Sequence, residues 1–512
     1  MSLYNGYSGL WSGYSGLGST SGLYSGASGL AGGNTSLTVP AGALAVYASR
    51  RLVSDYAGAL FQLRRISDSV TLDIYASSSA NPAPDVSGVA AFLGVATQCY
   101  VTKIYDQLGS GNDVVQATVA NMPYFSLTNA VNGKYSITFD GNQHTAGFMT
   151  IPAAITGDGR SVTVGVTAFV ESCAVPWVGM VGALWNTAGA LSFALGEQTN
   201  RLQVLTSSTF KKPTSGNYRC RSQVQTTVFT SSATDIVAYQ DGNTASLGVN
   251  NAGTWVGGKV GGGANTQYFY GEWYAMVIYP TAFSSTNAAL LKTVLDSHFT
   301  PITTYDTLFL MTGNSIVQGT KATLLMNNPR QAEPLLTRQI AIADCGVFGQ
   351  TAATVHTNLA TYYSTAFNAT LVKNIAIIIE PTNDINAAAS GNIAAPSTAA
   401  GGGGGSVGTN AWNNYTLPDI IALEAAGFTV LVPTILNRSW SGSAGDITDK
   451  TAAQLDWNTL ARASGRTVVD YQALPNMANP ANATYFSDGV HPTTAGYLEM
   501  ATLLASVLNG II

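Results

Sequence analysis

The spacing of short apolar runs changes once along this 512-residue chain, near residue 300, and that change restricts the folds open to each part. From about residue 38 to 300, alternating runs recur at short intervals, as at 161–166 and 236–239, with turn residues between them. This pattern predicts an all-β domain, either a two-sheet sandwich or a jelly roll. After residue 308, strand-like runs alternate with helical stretches, which predicts a three-layer α/β domain with a parallel sheet.

The hydrophobic periodicity of the second part predicts its individual elements. Strands are expected at 308–311, 373–379, 428–433 and 467–470. Helices are expected near 329–343, 352–366, 417–426 and 450–464, and a final helix carries Tyr497, Met500, Leu504 and Val507 on one face. We interpret 301–306 as a linker. The insert 387–409 contains five consecutive glycines, which predicts a mobile loop near the mouth of the functional site, either a surface excursion or a lid.

Residues 1–37 form a low-complexity tail in which Tyr-Ser-Gly-Leu occurs at 7–10 and 14–17, followed by related Ser-Gly-Leu triplets. Gly and Ser alone would make a flexible linker, but regularly spaced Tyr, Leu and Trp11 add small apolar anchors. We interpret the tail as an anchoring strap that becomes ordered against an assembly partner; a disordered tail is the alternative. The predicted domains are therefore 1–37, 38–300 and 301–512.

Composition argues against several classes of function. Only 10% of residues are charged, the formal net charge is -5 and there is no basic stripe, so nucleic-acid binding has no support. The longest aliphatic runs are too short to span a bilayer, and no signal peptide is visible. The cysteines are widely spaced and form no Cys/His cluster, so we expect neither a zinc site nor another cofactor. They are Cys99, Cys173, Cys220 and Cys345.

Polar residues with hydrolytic potential follow the predicted strands of the second part. Ser315 lies in a Gly-Asn-Ser turn after the first of these strands, and Asn383 follows the strand that ends at 379. Both would lie at the carboxyl edge of the sheet, where open α/β folds bind ligands. Gly349 lies between a short loop and a helix, so its backbone N–H is free to donate.

Two residues near the end of the chain could activate Ser315. Asp488 precedes His491 by three residues, and in a turn its carboxylate could hold one imidazole nitrogen while the other faces the serine. His356 has no such context; we expect it on a helix surface and assign it no role.

These four blocks, in this order, resemble the SGNH (GDSL-type) hydrolase family over roughly the last 210 residues. The resemblance implies that Ser315 is the nucleophile and that Asp488 and His491 complete a catalytic triad. It also implies an oxyanion hole made by the backbone N–H groups of Ser315 and Gly349 and the side chain of Asn383.

Two positions depart from the pattern of that family. Asn314 stands where an aspartate is usual, from which we expect altered hydrogen bonding but not lost activity. Pro381 replaces the glycine that usually opens the third block, and proline stiffens the loop and removes one N–H.

The first part carries a second resemblance. Residues 45–52, 56–65 and 104–113 look like the opening of the catalytic domain of family 54 α-L-arabinofuranosidases, which has a concanavalin-like jelly-roll fold. Residues 269–279 are similar to the last strand of laminin-G-like domains, after which a short helix at 284–299 is expected. The resemblance is to the scaffold, because the family's catalytic carboxylates match none here. Asp106, Asp140 and Glu272 all have structural interpretations.

The sequence thus predicts a serine esterase that removes O-acetyl groups from a polysaccharide and is tethered to a glycan-binding sandwich. We expect it outside the cell or on a virus particle, and a homo-oligomer is a further expectation. One alternative is a non-enzymatic attachment protein of a virus particle, such as a tail fibre or spike, although both descriptions can hold together. Another is a glycosidase that acts through the sandwich, which would require two carboxyls roughly 5 Å apart.

Deleting residues 1–34 tests the strap. We expect the shortened protein to keep its ester hydrolysis but to fail to enter the particle or assembly to which the tail docks, because its anchors are gone. The measurement is co-sedimentation with the assembled particle, beside an ester hydrolysis assay. Undiminished incorporation would show that the strap interpretation is wrong.

Overall fold

The computed structural model describes residues 38–512 with internal gaps, and Val39–Ile512 form one compact unit. Outside the described residues lie 1–37, 79, 97, 128–133, 141–146, 171–181, 186–190, 199–200, 207–208, 212–223, 241–242, 249–252, 263–268, 300–304, 321–326, 368 and 379. The predictions for the tail and for most of the linker at 301–306 therefore remain predictions.

The first part is a large antiparallel all-β sheet, which is consistent with the predicted β-sandwich. Its described strands are β1 (Ala45–Ala48), β2 (Phe61–Arg64), β3 (Thr71–Ile74), β4 (Gln98–Ile104), β5 (Val114–Val115), β6 (Tyr124–Ser126), β7 (Ile137–Asp140), β8 (Met149–Asp158), β9 (Val162–Val170), β10 (Gly182–Trp185), β11 (Leu191–Gln198), β12 (Arg201–Thr206), β13 (Thr209–Lys211), β14 (Val224–Ser231), β15 (Ile236–Gln240), β16 (Asn243–Ser246), β17 (Thr254–Val260) and β18 (Tyr270–Tyr279). Two helices, α1 (Val86–Leu93) and α2 (Ser285–Phe299), and a 3₁₀ turn at Val119–Asn121 accompany them.

Strand β18 lies inside this sheet and pairs antiparallel with β1, β7 and β9. One of its faces contributes Trp273 and Met276 to the main core, while the other packs Tyr274 and Val277 against α2. Burial on both faces explains why the sequence here is almost continuously apolar. The predicted helix at 284–299 is confirmed by α2.

The second part contains a five-stranded parallel sheet in the order β20-β19-β21-β22-β23. The strands are β19 (Thr307–Gly313), β20 (Ala341–Gly346), β21 (Lys373–Ile377), β22 (Thr429–Pro433) and β23 (Thr467–Val469). Because all the pairings are parallel, the carboxyl ends of the strands meet at one edge. β19 lies between β20 and β21, so the loops after these three strands are neighbours.

Helices connect these strands. They are α3 (Ser315–Gln318), α4 (Asn328–Ala332), α5 (Ala352–Ala366), α6 (Thr382–Ala387), α7 (Val407–Ala411), α8 (Leu417–Ala425), α9 (Ala444–Ala463) and α10 (Thr494–Asn509). A π-helical turn at Trp412–Thr416 joins α7 to α8, and 3₁₀ turns lie at Glu333–Leu335, Tyr471–Ala473 and Pro475–Met477. The predicted helices at 352–366 and 417–426 and the final helix are confirmed.

The predicted helix at 329–343 is wrong, because that stretch holds two different elements. Helix α4 ends at Ala332, and Pro334 in the following 3₁₀ turn cannot continue an α-helical hydrogen-bond ladder. Residues 341–346 form the fully buried strand β20. A short apolar run has no distinctive period, so periodicity cannot distinguish this strand from the end of a helix. The predicted helix at 450–464 begins earlier, at Ala444, because Ser443 and Asp446 form a capping box.

Side-chain hydrogen bonds connect the insert with five glycines to the segment that follows it. The Asn410 amide donates to the carbonyls of Ser397 and Ala399, and Asn414 donates to Ala400 and Gly402. The glycines at 401–404 all have φ between +72° and +125°, a region that residues with a side chain rarely adopt. Glycine is therefore required here for backbone conformation.

A buried ion pair connects the two sheets. Arg330 on α4 donates to Oε1 of Glu272 on β18 at 2.7 Å, and the Tyr274 hydroxyl donates to the other carboxylate oxygen at 3.0 Å. The side chain of Glu272 is 0% exposed and that of Arg330 12%. Removing one partner of such a pair leaves an uncompensated buried charge.

We expect Glu272→Gln to lower the free energy of unfolding by about 3 kcal/mol, measured by urea denaturation. The matched control is Asp158→Asn, because Asp158 pairs with Arg160 on the surface, with side chains 40% and 54% exposed; it should cost under about 1 kcal/mol. Replacing both members of the buried pair, with Glu272→Leu and Arg330→Met, should cost less than Glu272→Gln alone. Equal losses for the buried and exposed single variants would contradict the importance of this contact.

Candidate active site

Ser315 lies directly beyond the carboxyl end of the central strand β19. Asn314 caps the short helix α3, with its Oδ1 accepting from the Ile316 N–H at 2.8 Å. Gly313 lies so close to Val317 that a Cβ at position 313 would come within 2.0 Å of its side chain. On the opposite side, the buried Tyr497 hydroxyl donates to the Ser315 carbonyl at 3.5 Å and to that of Thr320 at 3.2 Å. These contacts fix the backbone that carries the Ser315 hydroxyl.

The structure brings Ser315, His491 and Asp488 together. The Ser315 Oγ lies 3.1 Å from Nε2 of His491, whose Nδ1 lies 2.8 Å from Oδ2 of Asp488. Oδ1 of Asp488 accepts the backbone N–H groups of Val490 at 3.0 Å and of His491 at 2.8 Å. Gly489 provides the tight turn with φ +78°. The order hydroxyl, imidazole, carboxylate is the arrangement that activates a serine nucleophile.

The hydrogen bonds within this turn keep Asp488 ionised. Partial burial acts to raise its pKa, but the N–H groups of His491 and Val490 and the imidazole outweigh burial and hold the pKa below its usual value. An ionised carboxylate at Nδ1 of His491 favours the tautomer whose Nε2 can accept the serine proton.

Gly349 lies at the tip of an exposed loop, 347–350, that follows β20. It has φ +77°, and its N–H donates to no group in the described part of the chain. The loop is held at one end by Val347, whose N–H donates to the Gly313 carbonyl at 2.9 Å. At the other end, the Asn383 amide donates to the Gln350 carbonyl at 2.7 Å.

Asn383 therefore differs in part from the prediction. One N–H of its amide holds the loop that carries Gly349, and only the second N–H is left for an oxyanion. Asp384, the next residue, also links this segment to the chain around Gly349. Its buried carboxylate accepts the N–H of Ala352 at 2.8 Å, at the start of α5. Burial raises the pKa of Asp384 to about 6, against the lowering effect of that hydrogen bond.

Glu380 is hydrogen-bonded to Asn314 and directly precedes Pro381, the two positions that depart from the family pattern. Its buried carboxylate accepts the Asn314 Nδ2 at 3.1 Å and both the N–H and the hydroxyl of Thr382. An aspartate at 314 would put a second carboxylate against Glu380, whereas asparagine can donate to it. Pro381 lacks an N–H, and the N–H of the next residue, Thr382, donates to Glu380 at 2.8 Å. The Asn314 side chain thus accepts a hydrogen bond from Ile316 and donates to Glu380.

Several residues that support the site could not be found from sequence. Arg438, in the loop after β22, is the cationic partner of Glu380, at 3.5 Å. Its neighbour Ser439 donates its N–H to the Gly489 carbonyl at 2.8 Å, next to the Asp488–His491 turn. The only sequence signal was that this segment directly follows a predicted strand. Nothing in the sequence pairs it with Glu380, 58 residues earlier.

His356 lies partly exposed on α5, as expected, but it has a specific partner. Its Nδ1 lies 2.5 Å from the buried Asp419 carboxylate on α8, and its ring lies 5.7 Å from that of Tyr415. Burial raises the pKa of Asp419 to about 6, and the contact with His356 opposes this. The pair joins two helices; no nucleophile is seen beside it among the described residues.

Two of the three carboxylates singled out in the first part, Asp106 and Glu272, are occupied by structural contacts. Asp106 is buried and accepts the N–H groups of Val46 at 3.0 Å and Leu108 at 3.2 Å, as its loop position predicts. Glu272 lies on β18, paired with Arg330. Asp140 ends β7, and its side chain lies outside the described residues.

Cys99 and Cys345 are buried and are not joined in a disulfide, while Cys173 and Cys220 fall outside the described residues. Across the ranges that the structure describes, no cluster of three His, Cys, Asp or Glu side chains could bind a metal ion. None of the described helices combines the length and the apolar character needed to cross a membrane.

Comparisons relate the chain to known proteins. The family model for the catalytic part of alpha-L-arabinofuranosidase B matches residues 35–158, which confirms the resemblance found at 45–113. Alpha-L-arabinofuranosidase B of Emericella nidulans is 39% identical over 95 residues, which is 16% of this chain and 18% of that protein. The enzyme of Aspergillus oryzae is 35% identical over 130 residues, 22% and 25% respectively. The chain spans about a quarter or less of the length of these relatives.

Several solved structures are similar to a portion of the chain. An arabinofuranosidase complexed with arabinofuranosyl-alpha-1,2-xylobiose matches 49% of this chain and 62% of its own, at 19% identity and a TM-score of 0.41. A lipolytic protein of the G-D-S-L family from Veillonella parvula matches 39% and 97%, at 17% identity and a TM-score of 0.31. A GDSL-like lipase from Bacteroides thetaiotaomicron matches 40% and 89%, at 18% identity and a TM-score of 0.29.

Asn314→Asp tests the contact with Glu380. We expect the free energy of unfolding at pH 8 to fall by roughly 3 kcal/mol, because two buried carboxylates would face each other. The like-charge pair raises one folded-state pKa, so this loss should grow as pH rises from about 5 to 8. The measurement is urea denaturation at both pH values.

The double variant Asn314→Asp/Glu380→Gln is the control. It exchanges the acid and the amide, so it should recover much of the stability that Asn314→Asp loses. Additive losses of the two single variants would show that Asn314 and Glu380 do not interact energetically.

Proposed function

We propose that the parallel-sheet part of the chain is a serine esterase that removes O-acetyl groups from a carbohydrate. The observation that carries this proposal is the hydrogen-bonded chain from the Ser315 hydroxyl through His491 to Asp488, at 3.1 and 2.8 Å. It lies at the carboxyl edge of a parallel sheet, where folds of this class bind their ligands. The similar proteins named above are also hydrolases by name, which supports the same class of reaction.

In this mechanism Nε2 of His491 accepts the Ser315 proton while Oγ attacks the ester carbonyl carbon. The negative charge on the carbonyl oxygen is stabilised by the N–H groups of Ser315 and Gly349 and by the Asn383 amide. Collapse of the intermediate breaks the bond to the alcohol oxygen, which receives the proton from His491. Water then attacks the acyl-enzyme in the same way and releases acetate and free Ser315.

The carbohydrate assignment is supported by the first part of the chain. Its residues 35–158 match a family of enzymes named for a glycoside substrate. We propose that the antiparallel sheet binds a polysaccharide and that the ester hydrolysed by Ser315 belongs to this polysaccharide. In this proposal the enzyme works outside the cell, with residues 1–37 docking it to a larger assembly such as a virus particle.

A second candidate is glycoside hydrolysis by the first part, which the same family match favours. A retaining glycosidase needs two carboxyls about 5 Å apart on either side of the sugar. Asp106 and Glu272 are buried and bound to other groups of the protein, so neither is available for this role. The activity would need carboxylates elsewhere in the chain.

Ser315→Ala separates these candidates. We expect the rate of p-nitrophenyl acetate hydrolysis to fall by roughly 10⁵-fold, because the nucleophile is lost. Any release of p-nitrophenol from p-nitrophenyl α-L-arabinofuranoside should be unchanged in the variant. Acetate release from an acetylated polysaccharide should disappear together with the first activity.

The matched control is Ser506→Ala, on an exposed turn of α10. It should hydrolyse the acetate ester as the unmodified protein does. Full esterase activity in Ser315→Ala would refute the assignment. An unmodified protein without ester hydrolysis would favour the alternative of a non-enzymatic attachment protein.

A further inference from the structure

Phe348 has an unusual position for a large apolar side chain. It is 62% exposed, at the tip of the loop that carries Gly349. Its ring lies 6.5 Å from the His491 ring, centroid to centroid, with an interplanar angle of 21°. The phenyl group is thus exposed to solvent and nearly parallel to the imidazole.

Hydrogen bonds on both sides of Phe348 hold the backbone of this loop. The Val347 N–H donates to the Gly313 carbonyl at 2.9 Å, and the Gln350 N–H donates to the Val347 carbonyl at 3.3 Å. The Asn383 amide holds the Gln350 carbonyl at 2.7 Å. A ring on a fixed loop can bind a ligand without first losing conformational entropy.

The mechanism determines which part of the substrate reaches Phe348. His491 must pass its proton to the alcohol oxygen, so that oxygen lies beside Nε2 when the bond to the acyl carbon breaks. The carbonyl oxygen points instead toward the N–H groups of Ser315 and Gly349. The alcohol side of the ester therefore lies on the His491 side of the site, where the ring of Phe348 is exposed.

We propose that Phe348 is a specificity-determining residue that binds the leaving alcohol, and that this alcohol is a sugar ring. This inference rests on the proposed esterase function. The flat C–H face of a pyranose packs on an aromatic ring, whereas a short open-chain alcohol offers little surface to cover it. The site would thus select esters by their alcohol.

The two chemical steps depend differently on this contact. In the first, Ser315 Oγ forms a bond to the acyl carbon, the bond to the sugar oxygen breaks, and His491 protonates that oxygen. In the second, water attacks the acyl-enzyme after the sugar has left. Phe348 therefore contributes to acylation, which kcat/KM measures, and not to hydrolysis of the acyl-enzyme.

The experiment compares two acetate esters that share an acyl group and differ in the alcohol, an O-acetylated methyl xyloside and ethyl acetate. Phe348→Ala in the full chain should lower kcat/KM for the xyloside ester by about tenfold, the factor that corresponds to roughly 1.4 kcal/mol. Its kcat/KM for ethyl acetate should be unchanged. Methyl xyloside, the alcohol product, should inhibit the unmodified protein competitively and the variant more weakly.

Phe348→Tyr and Phe348→Leu are the matched variants. The first keeps the ring and should retain the preference for the xyloside ester, while the second keeps apolar bulk without a ring and should lose most of it. Equal losses on both esters would mean that Phe348 only supports His491 and would overturn the inference, as would no loss on either. Absence of all ester hydrolysis in the unmodified protein would refute the proposed function itself, and this inference with it.

Discussion

The buried carboxylate of Glu380 connects the loops on which the site depends. It binds Asn314 from the loop after β19, Thr382 from its own loop after β21, and Arg438 from the loop after β22. The Arg438 side chain is 1% exposed, so its charge is compensated within the protein and not by water. Burial acts to lower the pKa of Arg438, and the charge of Glu380 opposes this. Removing either group would leave the other charge buried and unbalanced.

The same network extends to the end of the chain that carries the imidazole. The Ser439 N–H donates to the Gly489 carbonyl, inside the Asp488–His491 turn. The backbone at Ser315 is fixed by Tyr497, whose hydroxyl donates to the Ser315 carbonyl. Groups separated by about 170 residues are therefore placed within hydrogen-bond distance by neighbouring loops and not by one rigid element.

The residues of the candidate site could be predicted from the sequence better than the helices and strands around it. The spacing of three residues indicated the contact of Asp488 with His491, whereas the triad with Ser315 was what the resemblance to SGNH hydrolases implied. Strand β20 was missed, since the run 340–345 has no period that separates strand from helix. Neither the contact of Glu380 with Arg438 nor that of Glu272 with Arg330 could be predicted, because a pair distant in sequence leaves no local pattern.

The glycine-rich insert shows a related limit. A row of five glycines is typical of a flexible linker, and composition alone favours that interpretation. In the structure the row is held by two asparagine side chains, Asn410 and Asn414, which satisfy carbonyls that would otherwise face solvent or each other. Those asparagines lie in the α7 region that follows the glycines. The glycine row is therefore explained by its hydrogen bonds to these side chains and by its positive φ values.

Helix α4 connects the antiparallel sheet to residues that support the candidate site. At its start, Asn327 donates to the buried Asp344 carboxylate at 2.8 Å and Asn328 to the Tyr471 hydroxyl at 2.8 Å. At Arg330 the same helix meets Glu272 of β18. A protein truncated near residue 300 would lack Glu272, so the Arg330 guanidinium would lose its carboxylate partner. Arg330 lies on α4, which packs on α10, the helix that carries Tyr497. A domain boundary placed near residue 300 from the sequence pattern therefore separates Glu272 from Arg330, two buried charges that compensate each other.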